Sequence, residues 1–159
     1  MQLILYQFIA SALLLQSVVA PQPPAAFLST LPAYHLTINA PNYQVDSHIQ
    51  VRRAPAGDNT IGQVDLTIDV TVNIVRAGEP HSFTVRAECN GVKFLLATSS
   101  LLFDSYPDAP NTCLREFIGD INTNMGFQVV TSPLILEMAG DGSQLTFDYQ
   151  GNQVPFSLV

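Results

Sequence analysis

An all-β fold, an antiparallel β-sandwich or barrel closed by one disulfide, is what this sequence predicts. Three observations carry the prediction. Residues 62–76, GQVDLTIDVTVNIVR, place Val64, Leu66, Ile68, Val70, Val72 and Ile74 on even positions, with Asp65, Thr67, Asp69, Thr71 and Asn73 between them. That period of two puts the apolar set on one face of a long strand, whereas a helix at 100° per residue would scatter it. Short alternating runs then recur between Gly- and Asn-rich punctuation, the spacing of an antiparallel meander. Finally, the 159-residue chain holds two cysteines, Cys89 and Cys113, an even count that in a small exported domain reads as one bridge.

The chain divides into three parts. Residues 1–20, MQLILYQFIASALLLQSVVA, carry no charged side chain, and Val18 and Ala20 stand at the −3 and −1 positions of a small-residue cleavage site. They read as a secretory signal peptide, which places the protein outside the cell. An uncleaved anchor is the alternative, since residues 3–20 make 18 positions, the short edge for a membrane crossing. Residues 21–33, PQPPAAFLSTLPA, form a proline-rich leader expected to be an extended, solvated arm, because Pro21, Pro23 and Pro24 donate no ladder hydrogen bonds. Residues 34–159 are then a single β domain.

Within that domain, weaker strands are expected near 34–38, 44–53 and 127–130. After the long strand, a four-residue connection at 77–80 leads into 81–89, HSFTVRAEC, and sets Val72 against Val85 and Asp69 against Glu88. Asn90-Gly91 is the preferred pair for a two-residue type I′ hairpin and would set Glu88 against Lys93. Further on, Leu134, Leu136 and Met138 alternate, residues 139–142 turn the chain, and Leu145, Phe147 and Tyr149 alternate again. Gly151-Asn152 turns it once more, pairing Phe147 with Phe156. The total is nine or ten short strands, with a helical turn expected only at 112–118.

Composition excludes several functions. With 13 acidic against 6 basic residues and a net charge of −7, the chain lacks the cations that nucleic acid or an anionic membrane requires. No G-x-S-x-G elbow, phosphate loop or dinucleotide fingerprint is present, and His35, His48 and His81 have no neighbouring Ser–Asp signature. Two thiols without a spaced His pair do not make a tetrahedral metal set, so no metal or cofactor is expected. Three segments remain as candidates. Asp65, Asp69 and Glu88 form an acidic sheet face, which reads either as a surface ion network or as a carboxylate pair for acid–base or sugar chemistry. Asp120, Asn122, Asn124 and Gly126 alternate oxygen donors as a calcium loop does, yet the glycine comes one place late, and an Asn-rich turn is the competing reading. The loop 103–111, with Asp104, Tyr106 and Asp108 beside Pro107 and Pro110, reads as a binding loop or a rigid crossover.

The order of elements, a strand pair, then FTVRAEC ending in Cys89, a second cysteine at 113 and late hairpins, resembles the Alt a 1-like group of small secreted fungal β-barrel proteins. The resemblance spans about residues 44–150 and implies a secreted β domain, with no agreed catalytic residues to carry over. The departure is that this chain has a single cysteine pair where such proteins often have more. Taken together, the expected function is a secreted, non-enzymatic binding protein, effector- or elicitor-like, that meets an unidentified protein or a cell-wall glycan. A small extracellular hydrolase or lectin-like sugar binder using the acidic face is one alternative. A lipocalin-like carrier of an apolar ligand is the other.

Overall fold

The alternating strands close on themselves. The computed structural model describes residues 24–103, 112–126, 134–149 and 151–159. Eight antiparallel strands run in sequence order around a closed barrel: β1 (Ala33–Asn39), β2 (Tyr43–Arg53), β3 (Ile61–Arg76), β4 (Glu79–Ala97), β5 (Ser100–Phe103), β6 (Leu134–Met138), β7 (Gln144–Tyr149) and β8 (Asn152–Leu158). The ring shuts where Tyr34 and His35 of β1 meet Leu158 and Ser157 of β8. Closure leaves no free edge to template aggregation. The all-β class and the Cys89–Cys113 disulfide are therefore as the sequence indicates, with barrel rather than sandwich as the architecture.

Two helices accompany the barrel. α1 (Pro24–Leu28) departs from the sequence reading, and α2 (Thr112–Met125) begins at the expected helical turn and runs seven residues beyond it. The described part of the leader is not a free arm. Pro24 opens α1, where its missing N–H costs nothing, and Leu28 is fully buried. The leader is also stitched to β2: Val51 N donates to Pro32 O at 3.0 Å and Gln50 Nε2 to Leu31 O at 2.9 Å. Burial of Phe27 and Leu28 thus outweighs the extended bias of the prolines.

Registers differ from expectation in steps of two, which preserve the buried face. β3 and β4 are joined by a tight turn at Ala77-Gly78, both at positive φ (52° and 86°), so Arg76 faces Glu79 and Val72 faces Phe83. Consequently Asp69 lies opposite Arg86, not Glu88, and Glu88 opposite Thr67. Asn90-Gly91 is not a hairpin turn. β4 runs straight through it, and the pair forms a β-bulge against Asp65, with Val64↔Val92 and Leu66↔Cys89 on either side. Gly91 takes φ 65°, and its N–H donates to Asp65 Oδ1 at 2.9 Å, satisfying a donor that the bulge removes from the ladder. Lys93 accordingly faces Gln63. At the C-terminus, Tyr149 pairs with Asn152 and Phe147 with Val154, again two residues from the expected register. The strand expected at 127–130 lies outside the described residues.

Candidate functional site

Inward-facing side chains form a buried core at one end and line a partly open cavity beyond it. Along β1 the inward residues are Tyr34, Leu36 and Ile38, along β2 Val45, Ser47 and Ile49, and along β3 the even-numbered aliphatics of the long alternating run. An eight-stranded barrel is just wide enough either to fill with side chains or to hold one small ligand. Here one end fills and the rest stays hollow.

The filled end is where β1 starts and β6 stops. Tyr34 is wholly buried, and its hydroxyl donates to Gly142 O at 3.0 Å. Burial pushes that phenol far above its ordinary pKa. Phe27 of α1 lies over Gly142, close enough that a Cβ there would clash with its ring. Phe94 and Phe103 tilt against each other at 5.9 Å between centroids, and Phe94 occupies the space over Gly62.

Beyond this plug lies a cavity of about 350 Å³, within the usual range for small-molecule sites, roughly 300–1,000 Å³. α2 supplies part of its wall. Leu114, Phe117, Ile118, Ile121 and Met125 recur at i, i+3, i+4, i+7 and i+11, which collects them on one helix face, and all five border the cavity. The helix packs against β4, and the disulfide ties its first turn, at Cys113, to the inward-facing, buried Cys89 of that strand. Tyr43, 45% exposed at the start of β2, also borders the cavity.

Besides the half-exposed Tyr43, one polar side chain among the described residues interrupts this lining. Ser47 is 3% exposed, borders the cavity, and its Oγ makes no hydrogen bond among the described residues. A buried hydroxyl without a partner costs about 1–3 kcal/mol, so its presence on an apolar wall requires an account. Among the described residues, no charged side chain lines the cavity.

The sites expected from sequence are placed as follows. Asp65 accepts from Arg52 Nε at 2.6 Å as well as from Gly91 N. The Gly91 N–H first, and Arg52 second, hold its carboxyl below the usual range. Asp69 accepts from Arg86 Nε at 2.5 Å. Two of the three acidic residues are thus in ion pairs on the outer surface, with Glu88 on the same face. Asp120, Asn122 and Asn124 do not form a calcium loop, because α2 continues through them. Asn124 Nδ2 donates to Asp120 O at 2.9 Å, and Gly126 ends the helix at φ 75°, the usual left-handed C-terminal glycine. Asp104, Tyr106 and Asp108 lie outside the described residues.

Sequence reasoning did not foresee the convergence of His35, Asp46 and His48 on the outer face of β1 and β2. Nor did it single out Ser47, although a serine amid inward-facing apolar residues of β2 marks a polar interruption. No known protein family, no curated protein and no solved structure matches this chain.

Proposed function

We propose that this protein is an exported, non-enzymatic carrier that encloses one small apolar molecule in its barrel. The observation that carries the reading is the almost wholly apolar barrel cavity, with the buried Ser47 hydroxyl unpartnered among the described residues. At the ~30 Å³ that a water occupies in the liquid, about 350 Å³ accommodates on the order of a dozen non-hydrogen atoms. Such a ligand is a medium-chain or terpenoid-sized molecule. Its driving force is removal of apolar surface from water, at roughly 25 cal/mol per Å².

The lining also selects chemistry. Ser47 offers one donor and two acceptor lone pairs, so a ligand with one hydroxyl or carbonyl satisfies it. A carboxylate would meet no cation among the described lining residues, and burying an unpaired charge is strongly unfavourable. Neutral polar-headed molecules are therefore preferred over fatty acids of equal length. Export is part of the same proposal, supported by the disulfide and by the apolar N-terminal segment with its small-residue cleavage pattern.

The test is displacement of a solvatochromic probe by 1-decanol, decanoate and decane. The alcohol is expected to bind tightest in the native protein, and Ser47→Ala to erase its advantage over decane while leaving decane binding unchanged. Failure of all three to displace the probe, or a preference for decanoate, contradicts the proposal.

A further inference from the structure

On the outer wall of the barrel, away from the cavity, β1 and β2 assemble a set of side chains with no role in enclosing a ligand. His35 and His48 are direct cross-strand partners, and Asp46 precedes His48 by two residues, so it shares that face. The two imidazole rings stack at 4.0 Å between centroids with 9° between their planes. His35 Nε2 lies 2.6 Å from Asp46 Oδ1, and His48 Nε2 lies 3.7 Å from Asp46 Oδ2. All three potential ligand atoms fall within 4.8 Å of one another. Thr37 Oγ1 completes the group, 3.0 Å from His35 Nε2 and 3.1 Å from Asp46 Oδ1.

We infer that His35, Asp46 and His48 form a surface site for one divalent transition-metal ion, of the zinc or copper(II) type. Two imidazole nitrogens and one carboxylate oxygen are the donor set that such borderline ions favour over calcium or magnesium, which take oxygen ligands. Bonds of about 2.0–2.1 Å place neighbouring ligands of a tetrahedral centre roughly 3.3 Å apart. The observed separations bracket that value from both sides, so side-chain rotation alone closes the site. Each ring turns about χ2, a broad torsion, from parallel stacking to aim its Nε2 lone pair at a common point. The ion takes the place of the His35–Asp46 hydrogen bond, and the Nε2 proton leaves to solvent. Thr37 then donates to the ligating carboxylate, the outer-shell contact that orients a first-shell ligand. A fourth position stays open to water. With His35, Asp46 and His48 between about one third and one half exposed, the site binds and cross-links β1 to β2 without the desolvation that metal-assisted hydrolysis needs.

Titration of the metal-stripped protein with Zn²⁺ in a calorimeter, and with Co²⁺ by visible absorption, tests this. One equivalent is expected to bind, with Co²⁺ giving the visible bands of a low-coordinate nitrogen–oxygen site. His35→Ala, His48→Ala and Asp46→Asn are each expected to weaken Zn²⁺ by at least the roughly 10–100-fold that loss of an outer-shell partner costs. His81→Ala, the remaining histidine, leaves affinity unchanged. Circular dichroism confirms that these exposed substitutions leave the barrel folded. Absence of saturable binding, or binding that survives both His35→Ala and His48→Ala, overturns the inference.

Discussion

Gly62 shows how tightly single residues are specified at the filled end of the barrel. A Cβ there would stand 2.1 Å from Phe94 Cζ and 2.8 Å from Arg53 O. The ring of Phe94 is buried and the carbonyl belongs to the neighbouring strand, so neither yields easily. Gly62→Ala is expected to destabilise by about 1–3 kcal/mol, the usual cost of overpacking, read as a lower urea midpoint at constant slope. Asp65 makes a different kind of prediction. Because the Gly91 N–H and Arg52 depress its carboxyl pKa in the folded state, the unfolded chain binds the proton more readily. Its contribution is present above the unfolded value of about 3.9 and is lost as pH falls through the lower folded value. Asp65→Asn should therefore lower stability near neutrality and shrink the loss between pH 5 and pH 2, by urea denaturation at each pH. An unchanged acid limb would contradict this. Both residues were partly legible in sequence. Asp65 is recognisably an outward strand carboxylate, but its bond to Gly91 depends on a bulge that composition cannot distinguish from a hairpin.

That ambiguity belongs to the level of elements. Asn90-Gly91 suits a type I′ turn and a bulge alike, since both use a residue at positive φ. Only Gly91 of the pair has positive φ, and β4 continues past it. Slips of two residues, as at Ala77-Gly78, keep every apolar side chain inward, so alternation specifies the face and leaves the register open. The strands themselves were plain because six even-numbered aliphatics in a row admit no helix. α2 was obscured for a physical reason: Asn122, Thr123 and Asn124 have weak helix propensity and compete for backbone hydrogen bonds. Its apolar spacing from Leu114 to Met125 nevertheless follows the helical period. Tertiary burial on the cavity side and the disulfide compensate for those residues. A bridge across 24 residues stabilises by about 3 kcal/mol on the chain-entropy model. The Cys89→Ser/Cys113→Ser double variant should lose about that much and release bound ligand faster, because α2 is then held by packing alone. Stopped-flow dilution measures the rate, and an unchanged off-rate would show that α2 does not retain the ligand.

For the whole molecule, the sequence conveyed a greasy-inside β fold but not whether its interior is full. Alternation reports which side chains point inward, and the same pattern builds a solid sandwich or a hollow barrel. The difference lies in strand number, closure and the placement of Tyr34, Phe27 and Phe94 at one end, all non-local facts. The closed end is packed by Tyr34, Phe27 and Phe94, while the cavity beyond it is walled by aliphatic and aromatic β-strand residues and by α2. The most direct measurement of the central claim fills that space from within. Val70 points inward from β3 and borders the cavity. Val70→Trp places an indole in the void rather than in packed core, so stability should stay within about 1.5 kcal/mol of the native protein. Titration with 1-decanol should then show affinity reduced at least about tenfold, a loss of ~1.4 kcal/mol. Undiminished 1-decanol binding by a folded Val70→Trp protein would place the ligand elsewhere and contradict the account.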